Sequence, residues 1–399
     1  MIGFLFTCIG MAAALASLPG TLELLLLTLG AALPVRGRGK GRRTGTFRLA
    51  IVIPAHNESQ AVRIPVGSIQ RADKAGIQVE TVLVADNCSD DTADHARSAG
   101  ARVLVRFNDQ LRGKGYALDH AFKILQPEGY DGFLVIDADS EIGSNTLTEI
   151  VTYLQGGADA VQCRYLVRNP SESVRTRLMN VALMAFNVLR PRGRDRWGLS
   201  AGINGNGFAL SADTLDKVPY GAASIVEDLE YHLDLVRAGR KVRFANAAAV
   251  YGDMPVSGKG VKTQRTRWEG GRFRMLAERG PSLAAEVLHG QVSFLEPLGD
   301  LLLLPLAFHV SLLMVSLVAD GPSRLIGLFG AAVVALHLLV AIAVGGGGLS
   351  DLAALAAAPF YVVWKLLMLP AVLRSSRGKT TWARTERSSE ERSSEDKPQ

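Results

Sequence analysis

The segment FRLAIVIPAHNE at residues 47–58 begins with seven mostly apolar residues, which is typical of a short buried strand. Three further apolar runs of similar length follow it along the chain: VETVLVA at 79–85, residues 101–105 and residues 133–136. Helical patterns separate these runs, near 59–75, 91–99 and 116–125. Because strands alternate with helices at this spacing, we expect an α/β fold with a mainly parallel sheet.

Polar residues collect where the predicted strands end. Ligands of parallel α/β sheets bind outside the carboxyl ends of the strands, so these residues are candidates for a binding site. They are Pro54, Asn57 and Glu58 after the first strand, Asp86 after the second, and Asp137 and Asp139 after the fourth.

Asp137 and Asp139 close an apolar strand as an Asp-Ala-Asp sequence. Side chains at i and i+2 of an extended chain point the same way, so we expect both carboxylates to project together. Hard oxygen ligands in this arrangement suit Mg²⁺ or Mn²⁺ bridging a diphosphate.

Two other segments of the first half are candidates for nucleotide contacts. Asp86 can accept hydrogen bonds from a base or a ribose, whereas Ser89 or Asp90 can cap the helix that follows. Lys114 lies in the glycine-flanked turn RGKG, which either holds a phosphate or base or is a plain turn. The glycine spacing of a Walker loop is absent from this turn.

The second half of the region has an acidic pair and a basic-aromatic motif. Glu227 and Asp228 begin a predicted helix, where acids favour the helix N-terminus, and Asp228 is also a candidate general base. In QRTRW at 264–268, Arg267 suits a diphosphate and Trp268 a sugar face or a base. A glycine-rich turn, GINGNGF at 202–208, lets the backbone approach a ligand closely.

Composition places the apolar residues of the 399-residue chain at its two ends, which excludes a fully soluble protein. Six basic residues and no acid lie at 36–48, which equals the net charge of +6. The basic character is therefore local, and we expect no nucleic-acid partner. The three cysteines show no spacing typical of a disulfide framework or a zinc site.

The apolar ends predict membrane segments. Residues 2–35 are interpreted as one anchor, with a hairpin of two short helices as the alternative, and further candidate spans lie at 301–318, 325–344 and 352–373. The basic linker marks the cytoplasmic side, so we expect a multi-pass protein of the inner membrane with a cytoplasmic central domain. The expected division is 1–35 (anchor), 36–46 (basic linker), 47–291 (catalytic domain), 292–373 (about three membrane helices) and 374–399 (disordered polar tail).

Residues 171–190 start polar and become apolar with helical spacing, and a basic run follows at 190–196. One interpretation is a helix of the domain followed by a solvated loop. The alternative is an interfacial helix that docks the domain on the bilayer.

Taken in order, these motifs resemble the family 2 glycosyltransferases, most of all the membrane-embedded branch that includes cellulose, chitin and hyaluronan synthases and ceramide glucosyltransferase. The matching pieces are IVIPAHNE (51–58), VLVADNCSDDT (82–92), GKGYAL (113–118), VIDADS (135–140), the Glu227-Asp228 pair and QRTRW (264–268). The resemblance implies a GT-A fold and a nucleotide-sugar donor, usually a UDP-sugar.

By this resemblance, each candidate residue receives a role. Asp86 contacts the nucleotide, Asp137 and Asp139 serve the metal and the diphosphate, and Asp228 is the general base of an inverting transfer. Gln264, Arg267 and Trp268 close over donor and acceptor near the membrane, where lipids surround the protein. The acceptor is either a growing polysaccharide or oligosaccharide or, as the alternative, a membrane lipid that receives one sugar. A non-catalytic scaffold is disfavoured because all three acids, at 137, 139 and 228, are present.

Overall fold

The structure is a computed structural model that describes residues 2–37, 45–222, 224, 226–256 and 258–377. Most of the predicted basic linker and the tail beyond residue 377 lie outside the described residues. The described chain begins with one helix, α1 (Ile2–Ala32), which has Pro19 in its interior. Residues 2–32 are therefore a single helix and not the alternative hairpin of two short ones.

The described strands form one mixed sheet of eight, in the order β3-β2-β1-β4-β7-β6-β8-β5. Their bounds are β1 (Phe47–Ala55), β2 (Ile77–Asp86), β3 (Arg102–Arg106), β4 (Gly132–Val135), β5 (Glu141–Ile142), β6 (Ala160–Val167), β7 (Phe208–Ser211) and β8 (Val242–Gly252). Strands β3, β2, β1 and β4 are parallel neighbours, and β6 pairs β8 in parallel, whereas β7 and β5 are antiparallel to their partners. The predicted strands are β1 to β4, and the other four extend the same sheet.

The remaining helices lie on the two faces of the sheet and beyond its edge. Their bounds are α2 (Arg63–Arg71), α3 (Thr92–Ser98), α4 (Lys114–Leu125), α5 (Thr146–Gln155), α6 (Val174–Leu183), α7 (Arg190–Trp197), α8 (Ala212–Lys217), α9 (Glu227–Arg237), α10 (Gly258–Leu288), α11 (Leu295–Leu302), α12 (Leu306–Val318), α13 (Pro322–Gly345), α14 (Leu349–Ala354) and α15 (Ala358–Arg377). A π-helical turn, Met184–Leu189, joins α6 to α7.

Strand β1 is apolar at nearly every position because both faces of the sheet are covered. Val52 packs into the core on one face, while Ile51 and Ile53 pack into the core on the other. The first of these cores also contains Leu27 and Ala31 of α1. The end of the N-terminal helix thus packs into the core of the α/β domain. The anchor and the domain that the sequence predicts share this core.

The basic run at 190–196 is helix α7, so its interpretation as a solvated loop is wrong. Arg190 and Arg194 are buried, and the Trp197 indole N–H donates to the Leu26 carbonyl of α1 at 2.9 Å. A Cβ at Gly193 would lie 2.3 Å from the Leu27 carbonyl oxygen, so glycine is required where α7 crosses α1. Docking of this segment on a bilayer stays a prediction.

In the described residues, three helices are long and apolar enough to cross a membrane: Leu5–Ala32, Pro322–Gly345 and Leu349–Ser376. The predicted span at 301–318 is instead a pair of helices, Val292–Leu302 and Leu306–Val318, bent by 76° at their break. Pro305 lies in this break, where a proline disfavours helical continuation through the residue before it. The described residues therefore contain three candidate spans, or four if the bent pair is one span.

Candidate active site at the carboxyl ends of the strands

A cavity of about 1130 Å³ opens at the carboxyl ends of the parallel strands and continues to the apolar helices. We call the part lined by Asp86, Asp137 and Asp139 the donor end. The part bordered by residues 303–307 and Tyr361, next to the candidate spans, is the membrane-side end. Of the predicted site residues, the cavity is lined by Pro54, Glu58, Asp86, Lys114, Asp137, Asp139, Glu227, Asp228, Gln264, Arg267 and Trp268. These residues come from six separate stretches of sequence, so the fold brings almost the whole predicted set together.

Asn57 is the predicted site residue that does not line the cavity. Its side-chain oxygen accepts the Ser89 backbone N–H at 2.8 Å, and its backbone adopts a φ of 54°. Asn57 therefore joins the loop after β1 to the loop after β2. A ligand contact by this side chain stays a prediction.

Asp137 and Asp139 both line the cavity, as expected. The expectation that they do so because the chain is extended at these residues is wrong. Strand β4 ends at Val135, and residues 137–140 form a turn in which the Ser140 N–H donates to the Asp137 carbonyl at 3.1 Å. Asn206 holds this turn, because its side-chain oxygen accepts the Asp137 N–H at 3.1 Å and its amide donates to Ser140 Oγ at 2.8 Å. Sequence reasoning missed the role of Asn206, and the GINGNGF motif was the available signal.

Lys114 begins α4, and its ammonium group lies among the acids of the site. Its Nζ donates to Asp137 Oδ1 and to the Gly205 carbonyl, both at 2.5 Å, and lies 4.0 Å from Glu227 Oε1. Burial lowers the pKa of Lys114, but attraction to Asp137 and Glu227 outweighs it, so the pKa lies above its usual value. Lys114 thus stays charged and links the turn after β4 to the start of α9.

Glu227 and Asp228 form the first turn of α9 and face the cavity side by side. Burial raises the pKa of both carboxyl groups above their usual values. Asp228 Oδ1 accepts the Leu229 N–H at 2.8 Å, which is the structural role open to an acid at a helix start. A Cβ at Gly205, whose φ is +73°, would lie 3.1 Å from Asp228 Oδ2. The second oxygen therefore lies against the glycine-rich turn.

Asp86 is buried at the end of β2 and forms an ion pair with Arg106 of β3 at 2.5 Å. The His56 ring nitrogen Nδ1 lies 2.7 Å from the Asp86 carbonyl oxygen, and His56 lines the cavity. Sequence reasoning found Asp86 and missed both neighbours, because their proximity depends on the register of β1, β2 and β3. His56 and Asp86 thus line the donor end, and Arg106 backs the Asp86 carboxylate.

Helix α10 carries Gln264, Arg267 and Trp268 along the cavity wall. The Arg265 guanidinium lies 5.7 Å from the centre of the Trp268 ring. Tyr165 of β6 lies half-buried nearby, and its pKa is raised first by desolvation and then by Asp139 and Asp137. This phenol, which sequence reasoning also missed, therefore remains a neutral hydrogen-bond donor beside the acids.

The carboxylates that line the cavity are candidate ligands for a divalent cation. Asp137 and Asp139 present carboxylate oxygens, the ligands that Mg²⁺ and Mn²⁺ prefer. Within the described ranges, no group of three or more His, Cys, Asp or Glu side chains is arranged to hold a metal ion. The residues fit a site in which the protein supplies two carboxylates and substrate oxygens complete the coordination.

The membrane-side end of the cavity is built from helices that sequence reasoning did not connect. Arg194 of α7 forms ion pairs with Asp300 and, at 2.6 Å, with Glu296, both of α11, while Glu23 of α1 lies at 3.7 Å. Arg272 of α10 binds the other oxygen of Asp300 at 3.0 Å. Four helices from distant parts of the chain therefore meet in one buried ionic cluster.

Comparison with known proteins was made on the complete chain. The family described as "Glycosyltransferase like family 2" matches residues 47–271. A probable glycosyltransferase of Bacillus subtilis, YdaM, is 27% identical over 233 residues, which are 56% of this chain and 55% of that protein. The chain therefore spans about half the length of this curated relative.

A solved structure resembles the fold over nearly the whole chain. It is the mannosyltransferase PcManGT of Pyrobaculum calidifontis, determined in complex with GDP-mannose and Mn²⁺. The two share 15% identity with a TM-score of 0.57, covering 94% of this chain and 100% of the other. The expected GT-A fold is thus confirmed, and the chain belongs to the glycosyltransferase-like family 2.

Proposed function

We propose that the protein is an inverting membrane glycosyltransferase that moves a sugar from a nucleotide-sugar, a UDP-sugar in the first instance, to an acceptor hydroxyl. The observation that carries this proposal is the convergence of Asp86, Asp137, Asp139, Asp228 and Arg267 in one cavity. The YdaM relative and the Mn²⁺ complex of PcManGT support a transferase that uses a nucleotide-sugar and a divalent ion.

The proposed reaction is a single displacement at the anomeric carbon. The acceptor oxygen forms a bond to that carbon as the bond to the diphosphate oxygen breaks, and the nucleoside diphosphate leaves. Asp228 takes the proton of the acceptor hydroxyl, a role that suits a carboxylate whose pKa burial raises above its usual value. Arg267 donates to the departing diphosphate, where negative charge develops.

Asp137 and Asp139 are the residues that would hold Mg²⁺ or Mn²⁺. A bound divalent ion supplies charge neutralisation at the diphosphate. Lys114 contributes a permanent positive charge next to Asp137 and fixes that carboxylate against the Gly205 carbonyl. Asp86, backed by Arg106, is assigned to the nucleoside part of the donor.

Two acceptors were expected from the sequence, a growing glycan and a membrane lipid. A specific observation favours the lipid: the cavity wall includes residues 303–307, at the break between α11 and α12, and Tyr361 of α15. An acceptor could therefore reach Asp228 from the apolar helices. Transfer to a growing polysaccharide or oligosaccharide remains the second candidate, because the donor chemistry is the same for both.

We further propose that the α/β domain lies on the cytoplasmic side of the inner membrane, where nucleotide-sugars are made. The basic residues of the first linker and the candidate spans support this topology. A cysteine placed at Ser98, after replacement of Cys88 and Cys163, should resist an impermeant thiol reagent added to intact cells. Ready labelling from outside would contradict the topology.

The decisive experiment is a product analysis. Purified protein is incubated with a panel of UDP-sugars together with either membrane lipids or oligosaccharide primers, and products are identified by mass spectrometry. We expect a glycosylated product and stoichiometric UDP release from wild type, and both at a rate about 10²–10⁴-fold lower from Asp228→Asn. Wild-type protein that binds UDP but forms no product with any acceptor would argue for a non-catalytic role.

A further inference from the structure

Arg190, at the start of α7, is a buried cation whose side chain has no hydrogen-bonding partner. It is 5% exposed, and within the described part of the chain its guanidinium makes no hydrogen bond and no ion pair. The guanidinium carbon lies 5.0 Å from the centre of the Phe186 ring. A guanidinium has five N–H donors, and leaving buried donors without hydrogen-bond acceptors is unfavourable.

The acids near Arg190 are already committed to other arginines. Asp300 binds Arg194 through one oxygen and Arg272 through the other, and Glu296 binds Arg194. Asp300 attracts Arg190 electrostatically, but it offers no bond to it. The ionic cluster therefore holds Arg190 in place without pairing it.

Arg190 lines the membrane-side end of the cavity, next to apolar walls. The same cavity is bounded there by residues 303–307 and by Tyr361, from helices that belong to the candidate spans. An unpaired guanidinium beside apolar helices is complementary to an anion carried on an apolar tail. It is not complementary to a neutral sugar alone, which would leave the charge unpaired.

We propose that Arg190 binds the anionic headgroup, a phosphate or a carboxylate, of an amphiphilic acceptor whose apolar tail leaves the cavity at the break between α11 and α12. The proposal rests on the proposed function in its lipid-acceptor form and specifies the chemical class of that acceptor. Arg190 is then a binding residue for the acceptor, separate from the donor end.

The test uses full-length protein in dodecyl maltoside and three probes: dioctanoyl phosphatidic acid, uncharged dioctanoylglycerol and inorganic phosphate. We expect wild type to bind phosphatidic acid at least about tenfold more tightly than either of the other two probes. Arg190→Gln should weaken that binding by about 10–100-fold, the value of a charge-assisted hydrogen bond. Arg196→Gln, an exposed arginine of the same helix outside the cavity, is the matched control and should bind as wild type does.

Two further measurements keep the proposal open to contradiction. A photoactivatable phosphatidic acid on wild type should cross-link to α7 or to residues 303–307, and labelling only elsewhere would overturn the site. Equal phosphatidic acid binding by wild type and Arg190→Gln would overturn the site as well. If wild type binds inorganic phosphate as tightly as phosphatidic acid, the amphiphilic part of the proposal is overturned.

Affinity for UDP, measured on the same samples, should not change in Arg190→Gln. If wild type binds phosphatidic acid through Arg190 but does not bind UDP, the subsite stands and the proposed function fails.

Discussion

The two ends of the cavity are assembled in different ways. At the donor end, Asp86 ends β2 while Asp137 and Asp139 follow β4, both in the parallel part of the mixed sheet, so their meeting is a consequence of the strand topology. At the membrane-side end, Glu23, Arg194 and other charged residues come from helices far apart in sequence. The donor end is therefore built on the sheet of the α/β domain, and the membrane-side end is a junction between that domain and the candidate membrane spans.

Substitutions at the two ends of the cavity should therefore have different effects. Changes at the donor end should alter chemistry and nucleotide binding with little loss of stability. Changes in the helices that form the membrane-side end should alter stability or acceptor use while nucleotide binding is kept.

The largest effect is expected for Asp228→Asn. General base catalysis contributes about 10²–10⁴-fold in rate, so turnover should fall by about that factor. Affinity for UDP should change little, because Asp137, Asp139 and Arg267 are assigned to the diphosphate. Turnover, UDP affinity and melting temperature are measured on the same preparation.

Asp234→Asn, on the same helix α9 and outside the cavity wall, is the control for this change. If Asp228 only favours its helix terminus, the asparagine variant would lose about 0.3–1 kcal/mol of stability and keep its rate. Near-normal turnover in a folded Asp228→Asn protein would exclude the base assignment and move it to Glu227.

The next largest effect is expected for Asp139→Asn, which removes one of the two carboxylates assigned to the metal. Turnover should fall strongly, and UDP binding in the presence of Mn²⁺ should weaken by at least about 10-fold, since even outer-shell changes cost that much in metal affinity. In chelator, wild type and variant should bind UDP equally weakly. Full activity of the folded variant in chelator would rule out metal dependence through this residue.

Arg267→Ala should have a smaller effect and one of a different kind. Loss of a charge-assisted donor to the diphosphate costs about 1.5–3 kcal/mol, so UDP affinity and turnover should fall together by about 10–100-fold. This joint loss distinguishes Arg267 from Asp228, whose loss should spare UDP affinity. A variant with unchanged UDP affinity would remove Arg267 from the donor end.

The effect on chemistry should be smallest for Lys365→Met, in the last helix. Lys365 is buried and forms an ion pair with Glu269 of α10, one residue after Trp268. Breaking a buried pair by removing one partner costs about 3–5 kcal/mol, so the melting temperature should fall while UDP affinity remains.

The double variant Lys365→Met, Glu269→Met tests whether the loss comes from the unpaired charge. It should recover much of the melting temperature, because no buried charge is then left without a partner. A melting temperature that stays unchanged in Lys365→Met would show that this pair does not join α15 to α10.

Prediction from sequence succeeded where local pattern is sufficient. The strands β1 to β4 and the helices between them were found because buried strands and amphipathic helices have different periodicities. Most donor-end residues followed, because the carboxyl ends of parallel strands share one edge. The same-side argument for Asp137 and Asp139 failed, since it assumed an extended chain where the backbone turns and is held by Asn206.

What the sequence by itself determined is the family and the α/β class, because these depend on short motifs in a fixed order. Only the tertiary structure decided that the arginine run after residue 189 is a helix with Arg190 and Arg194 buried, and that α11 and α12 meet at a bend. The physical reason is that burial of a charge is set by partners from distant segments. Arg194 is stabilised by acids that lie more than a hundred residues away in sequence, which no local pattern contains.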